Sequence, residues 1–243
     1  ANTVITMVGD ISEAQALAAV RGQFDGWTGG TKEEIKISGD VVIAHHGQRT
    51  IKTELPDKSN TDVYMGHPVD VSVRSPDYFA ALLGNAALGY DSFACRLSPV
   101  RDKYGLTYGI SSAMVGSVFP YAPWMVNFSV NPVNYNRTLS LVESIVADYR
   151  RTGMTPAELA KEKSHLEGAF FVSLRGPKQL ASKLCELEIA GLGPQYLDQF
   201  GTNLRRVTLP QVNASIKRYF SLDDAVISAS GTLHSQSAKA PAP

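Results

Sequence analysis

Arg101 and Tyr108 are the two side chains whose type and spacing point most directly to chemistry. They flank Gly105, a residue able to take the left-handed backbone that ends a helix. The stretch reads as helix end, glycine turn and strand. That order puts Arg101 in a last helical turn and Tyr108 among the first strand residues. A guanidinium and a phenol presented from one corner are donors suited to a peptide carbonyl or a developing oxyanion. The same residues also read as a surface arginine paired with Asp102 and a tyrosine packed into a sheet.

Other catalytic inventories are incomplete. The five histidines are His45, His46, His67, His165 and His234, and none lies in His-Glu-x-x-His or His-x-x-Glu-His, which would set two ligands one helical turn apart. His165 has Glu162 and Glu167 nearby in sequence but no second imidazole, and His45-His46 sit beside Gly47 in an expected loop. A self-sufficient zinc hydrolase would have to use His45, His46 or His165 with distant ligands. No Gly-x-Ser-x-Gly, Walker loop or dinucleotide fingerprint is present. Cys95 and Cys185 lack a motif partner; they could pair with each other or stay reduced.

The elements that must position the Arg/Tyr corner follow from periodicity and punctuation. Thr3 to Val8 reads as a strand, and Ser12 as the N-cap of a helix reaching Phe24. Residues 29–48 read as a linker or extended crossing. Thr50–Leu55 and Thr61–Pro68 read as strands joined in a hairpin by Asp57-Lys58-Ser59-Asn60. Ser75-Pro76-Asp77 should start a helix closed by Gly89, with a short helix following from Ser92 to Tyr104. Leu106–Phe119 and Tyr121–Asn131 are strand candidates, expected to be antiparallel neighbours. Helices are then expected near 134–152, 156–174, 178–191, 194–206 and 209–220, and a last strand over Ala225–Ser230. Val4–Asp10 and Val226–Thr232 look like a faint repeat, each a strand ending in glycine and a small polar residue. Strands cluster before residue 131 and helices cluster after it. This segregation predicts an α+β fold, a largely antiparallel sheet with helices packed on one face. One domain over residues 1–234 and a disordered Ala/Pro tail over 235–243 are expected.

Composition narrows the function classes. In 243 residues there are 23 Lys+Arg and 23 Asp+Glu, which argues against a nucleic-acid binder needing a cationic surface. Hydrophobic residues at 44% and charged residues at 19% belong to a globular chain. No apolar run approaches the roughly 18 residues of a membrane span, and no leader is visible. The chain starts with Ala, as a processed or excised chain would. Secreted, periplasmic and cytoplasmic placements all fit.

Arg101-Asp102-Lys103-Tyr104-Gly105-Leu106-Thr107-Tyr108 closely resembles the Arg-Glu-x-x-Gly-Leu-x-Tyr signature of the M16 (pitrilysin/insulinase-like, mitochondrial-processing-peptidase-like) metallopeptidases. Phe93 and Arg96-Leu97 match the Phe-x-x-Arg-Leu lead-in. Ile5–Ile11 with Phe24-Asp25-Gly26-Trp27, and Ser182-Lys183-Leu184 through Tyr196-Leu197, extend the resemblance over residues 3–233. Ala94-Cys95 in place of a small-polar pair and Ser98-Pro99-Val100 before the arginine depart from the pattern. The resemblance implies a LuxS/MPP-like metallohydrolase fold and a C-terminal-type domain lacking the zinc motif. It implies that Arg101 binds substrate backbone and Tyr108 donates to the oxyanion. It further implies that no cofactor is held here, and that zinc and His-x-x-Glu-His belong to a partner domain or subunit closing around a peptide substrate. A catalytically inactive structural or peptide-binding module is the alternative.

Overall fold

The computed structural model describes residues 3–30, 47–90, 94–119 and 121–233. These fall into two compact units, Ala1–Val42 with Glu167–Thr202, and Ile43–Leu166 with Asn203–Pro243.

In the first unit, α1 (Glu13–Phe24) begins at a capping box: the Ser12 side chain accepts from the Gln15 N–H, and Gln15 Oε1 accepts from the Ser12 N–H at 2.9 Å. This satisfies two of the donors that a helix start leaves orphaned. Residues 3–8 are not a strand, contrary to their β-branched pattern. Among the described residues no strand pairs with them, and the side chain of Thr6 donates instead to the carbonyl of Ala181 at 2.9 Å. The Val4–Asp10 repeat therefore has no structural counterpart to the final strand. The ring of Phe170 stacks on that of Phe200 at 3.8 Å between centroids.

The second unit is built on a five-stranded sheet. Its strands are β1 (Arg49–Glu54), β2 (Thr61–Pro68), β3 (Ile110–Met114), β4 (Pro123–Val130) and β5 (Val226–Gly231), in the order β1-β5-β2-β4-β3. All pairings are antiparallel except β1 with β5. The expected hairpin of β1 and β2 does not form, because β5 lies between them, pairing Arg49 with Val226 on one side and Met65 with Ile227 on the other. The expected antiparallel neighbours β3 and β4 do pair. Alternation sends Val63, Met65, Val126, Phe128, Ile227 and Ala229 into the core and leaves Asp62, Tyr64 and Ser228 on the open face.

Two helices and a turn carry the site against this core. The α2 helix (Tyr78–Gly89) is buried from Ala80 to Gly89 except for a half-exposed Leu82, and it is built largely of Ala, Leu and Gly. A Cβ on Gly84 would come within 3.0 Å of Phe220 and Ile216, and one on Gly89 within 2.8 Å of Leu97. Small residues thus let α2 sit closely between its neighbours. The predicted helix over 92–104 shrinks to α3 (Pro99–Asp102) within the described residues. Pro99 opens this helix, a position its missing N–H favours. Four longer helices, α4 (Tyr135–Thr152), α5 (Pro156–Ser173), α6 (Pro177–Ala190) and α7 (Tyr196–Arg206), precede α8 (Leu209–Tyr219), all within two residues of the expected bounds. The expected tail lies outside the described residues.

Candidate functional site

The Arg/Tyr corner is assembled from the C-terminal end of α2 onward. The N–H groups of Arg96 and Leu97 donate to the carbonyls of Ala87 and Leu88 at 2.9 and 3.0 Å, satisfying acceptors that the end of α2 leaves open. Leu97 and Val100 are fully buried and anchor the segment. Phe93 lies outside the described residues.

Arg96 is a structural residue. It grips Glu158 with two bonds, Nε to Oε1 at 2.5 Å and Nη2 to Oε2 at 2.9 Å, donates to the Gly153 carbonyl, and lies 5.3 Å from the centroid of the Tyr149 ring. Tyr149 in turn donates to the Gly84 carbonyl in the middle of α2 at 2.9 Å. The hydrogen bond with Glu158 raises the Arg96 guanidinium above its ordinary value against the opposing effect of burial. Burial pushes Glu158 up, but hydrogen bonds from Arg96 and Thr155 more than offset it and hold the carboxyl below its usual range. Burial, reinforced by the charge of Glu158, pushes the Tyr149 phenol well above its ordinary value.

The turn itself is held from both ends. Gly105 sits at φ +60°, its N–H donating to Arg101 O at 2.9 Å, and the Leu106 N–H reaches Val100 O at 3.0 Å. Nothing lies within 4 Å of the position a Cβ would take, so glycine is required here for conformation rather than space. The Thr107 hydroxyl lies 2.7 Å from Ser129 O on β4 and 2.8 Å from Gly109 O, and it accepts from the Gly109 N–H. The local bonds between Thr107 and Gly109 accompany an irregular backbone over 106–109, and β3 starts at Ile110 and not at Leu106. With Leu106 and Thr107 pinned inward, Tyr108 is 98% exposed. The tyrosine packed into the sheet is thus not what forms.

Arg101 is bound to Asp102, with Nε and Nη2 each 2.7 Å from Oδ1. The surface pairing read from the sequence is therefore present. Both predicted site residues belong to one helix–turn segment, Arg101 on α3 and Tyr108 on the bend before β3.

A buried polar cluster behind this segment went unread in the sequence. Asn85, 2% exposed on α2, donates to Ser112 O at 3.0 Å and accepts from Ser112 Oγ at 2.9 Å and Trp124 Nε1 at 3.2 Å. It ties α2 to β3 and β4 and so fixes the strand into which the turn runs. A lone asparagine in an Ala/Leu/Gly run gives no local sign of such a role.

No group of three or more His, Cys, Asp or Glu able to hold a metal occurs among the described residues. His165 Nδ1 lies 3.0 Å from Glu162 Oε2, while the other oxygen of that buried carboxylate lies 3.1 Å from Lys161 Nζ. A carboxylate already facing an ammonium is poorly disposed to a divalent cation, and the described residues do not fit zinc. His45, His46 and His234 lie outside them. Cys95 and Cys185 are not joined in a disulfide. Among the described residues no helix is long and apolar enough to cross a membrane.

The fold and site define an α+β domain that displays an arginine and a tyrosine from one turn and assembles no metal-ligand cluster among its described residues. The chain belongs to the peptidase M16 inactive domain family, whose model matches residues 1–166. It is similar to the peptidase M16 inactive domain from Pseudomonas fluorescens, at 28% identity and a TM-score of 0.77, over 92% of this chain and 52% of that one. A protease from Helicobacter pylori shares the fold at 16% identity and a TM-score of 0.77, over 92% of this chain and 54% of that one. The periplasmic protease PqqL from Escherichia coli shares it at 17% identity and a TM-score of 0.67, over 92% and 24%. The chain spans about half the length of the Pseudomonas and Helicobacter chains. No curated protein matches the sequence.

Proposed function

We propose that this chain is the zinc-free half of an M16-type peptidase, contributing substrate binding and oxyanion stabilisation to peptide-bond hydrolysis. Zinc, its activated water and the His-x-x-Glu-His ligands reside in a partner domain or subunit. The observation that carries the reading is Tyr108: a phenol 98% exposed, on a turn held by Gly105 and Thr107. A tyrosine presented in this way contributes little to its own fold and is available to a reacting group. Arg101 holds substrate backbone after exchanging Asp102 for a peptide carbonyl. Asp102, the partner to be exchanged, is half exposed.

The test is reconstitution with the zinc-bearing partner. Tyr108→Phe is expected to lower kcat about 100-fold or more with little change in KM, the usual loss on removing one oxyanion donor. Arg101→Ala is expected to act mainly on KM. Unchanged turnover in Tyr108→Phe, with assembly intact, overturns the assignment. The second reading, an inactive structural or peptide-binding module, is favoured by the Arg101–Asp102 pair, which already satisfies the guanidinium in part. It predicts no dependence of the partner's turnover on either residue.

A further inference from the structure

A cleft of about 580 Å³ opens at the other end of α2, within the second unit, between the start of that helix, the end of α7 and one face of α8. Its volume falls in the range of sites that hold a drug-sized ligand, about 300–1,000 Å³. The Arg/Tyr corner is joined to the C-terminal end of α2, whose 12 residues span about 18 Å. The cleft is therefore a separate site.

Its lining includes the apolar Pro76, Phe79, Val207 and Ala214 and, at exposed positions, Arg206 and Arg218. The walls are fixed by hydrogen bonds. Lys163 donates to the carbonyls of Arg205 and Val207 at 2.8 and 2.6 Å, closing the end of α7 and setting the backbone on either side of Arg206. The Tyr219 hydroxyl donates to Asp77 Oδ2 at 2.5 Å, and Arg218 lies 3.6 Å from the same oxygen. Asp77 is the single acid among the described lining residues, and it is engaged by these two groups. Among the described lining residues, two arginines against one carboxylate leave one net positive charge beside apolar side chains. That balance matches a monoanion attached to apolar side chains. It disfavours a phosphate, whose second charge would meet Asp77.

We propose that this cleft binds the C-terminal end of a peptide, its α-carboxylate on Arg206 and Arg218 and its last apolar side chain on Phe79, Val207 and Ala214. The site acts without a partner subunit and does not depend on the roles assigned to Arg101 and Tyr108.

Fluorescence anisotropy of the full chain with fluorescein-labelled Gly-Ser-Ala-Leu-Phe tests it. The free acid is expected to bind at least ten-fold more tightly than the C-terminal amide, and inorganic phosphate at 10 mM is expected not to displace it. Arg206→Gln and Ala214→Trp, both at exposed positions, are each expected to weaken the free acid at least five-fold with an unchanged melting temperature. Equal binding of acid and amide overturns the proposal, as does full affinity in Arg206→Gln. Displacement by 3-phenylpropionate as effective as by unlabelled peptide also overturns it, by assigning the cleft to small carboxylates.

Discussion

At the scale of residues, two arginines five positions apart have different tasks. Arg96 is folded into the domain by Glu158, Gly153 and Tyr149, whereas Arg101 holds an exposed acid on its own turn. Arg96→Ala is expected to destabilise the fold by about 2 kcal/mol, the usual value of charge-assisted hydrogen bonds, measured by urea unfolding. The same pair sets a pH dependence. Glu158 is held below its ordinary value of 4.5, so its ionised form stabilises the native state. That contribution is complete above the unfolded value and is lost as pH falls through the lowered folded one. Urea midpoints between about pH 6 and 3 should therefore fall less steeply in Glu158→Gln than in the parent chain. An identical slope in both would remove Glu158 from the acid response. The sequence marked Arg96 and Arg101 through one motif; only packing separates their tasks.

At the scale of elements, the position of the corner depends on how α2 meets β3 and β4. Asn85 supplies the polar link, and its replacement by Leu would leave Trp124 Nε1 and the Ser112 carbonyl without this partner, and the Ser112 hydroxyl with only the backbone carbonyl of residue 85 at 3.4 Å. Asn85→Leu is expected to cost about 2–3 kcal/mol by thermal or urea unfolding, since stranded buried donors lose their full solvation. A neutral result would mean that the cluster relaxes to other partners. What the sequence made legible among the elements follows from range. Helices after residue 132 are bounded by local signals, such as Pro156, Gly176-Pro177 and Leu209-Pro210, and their bounds match closely. Strand partnership is not local: the turn residues between β1 and β2 signal a reversal but cannot show that β5 enters between the strands. Thr3–Val8 has strand composition without a neighbour, and composition alone makes no ladder. Gly105 was legible because a left-handed turn needs it; Thr107 was not, because its partner Ser129 lies on another strand.

At the scale of the whole molecule, the chain has the fold of M16 inactive domains and spans about half the length of the Pseudomonas and Helicobacter chains it matches. The described residues build a sheet, a displayed turn and a cationic cleft, but no ligand cluster for a metal. Metal analysis of the purified chain is accordingly expected to find no stoichiometric zinc. One zinc per chain, lost on replacing His165, would return catalysis to this half. The place of β5 carries a consequence for how the molecule comes into being. Among the described residues β1 has its sheet neighbour in a strand that begins at Val226, and β2 needs that same strand on one of its sides. During synthesis, β2, β3 and β4 can assemble early, while β1 emerges long before its neighbour exists. The sheet is completed by inserting its last-made strand into a waiting gap. Loop-closure entropy must be met before that contact is gained. Folding is thus expected to end with β5, and until then the unpaired edges of β1 and β2 are open to association with other chains.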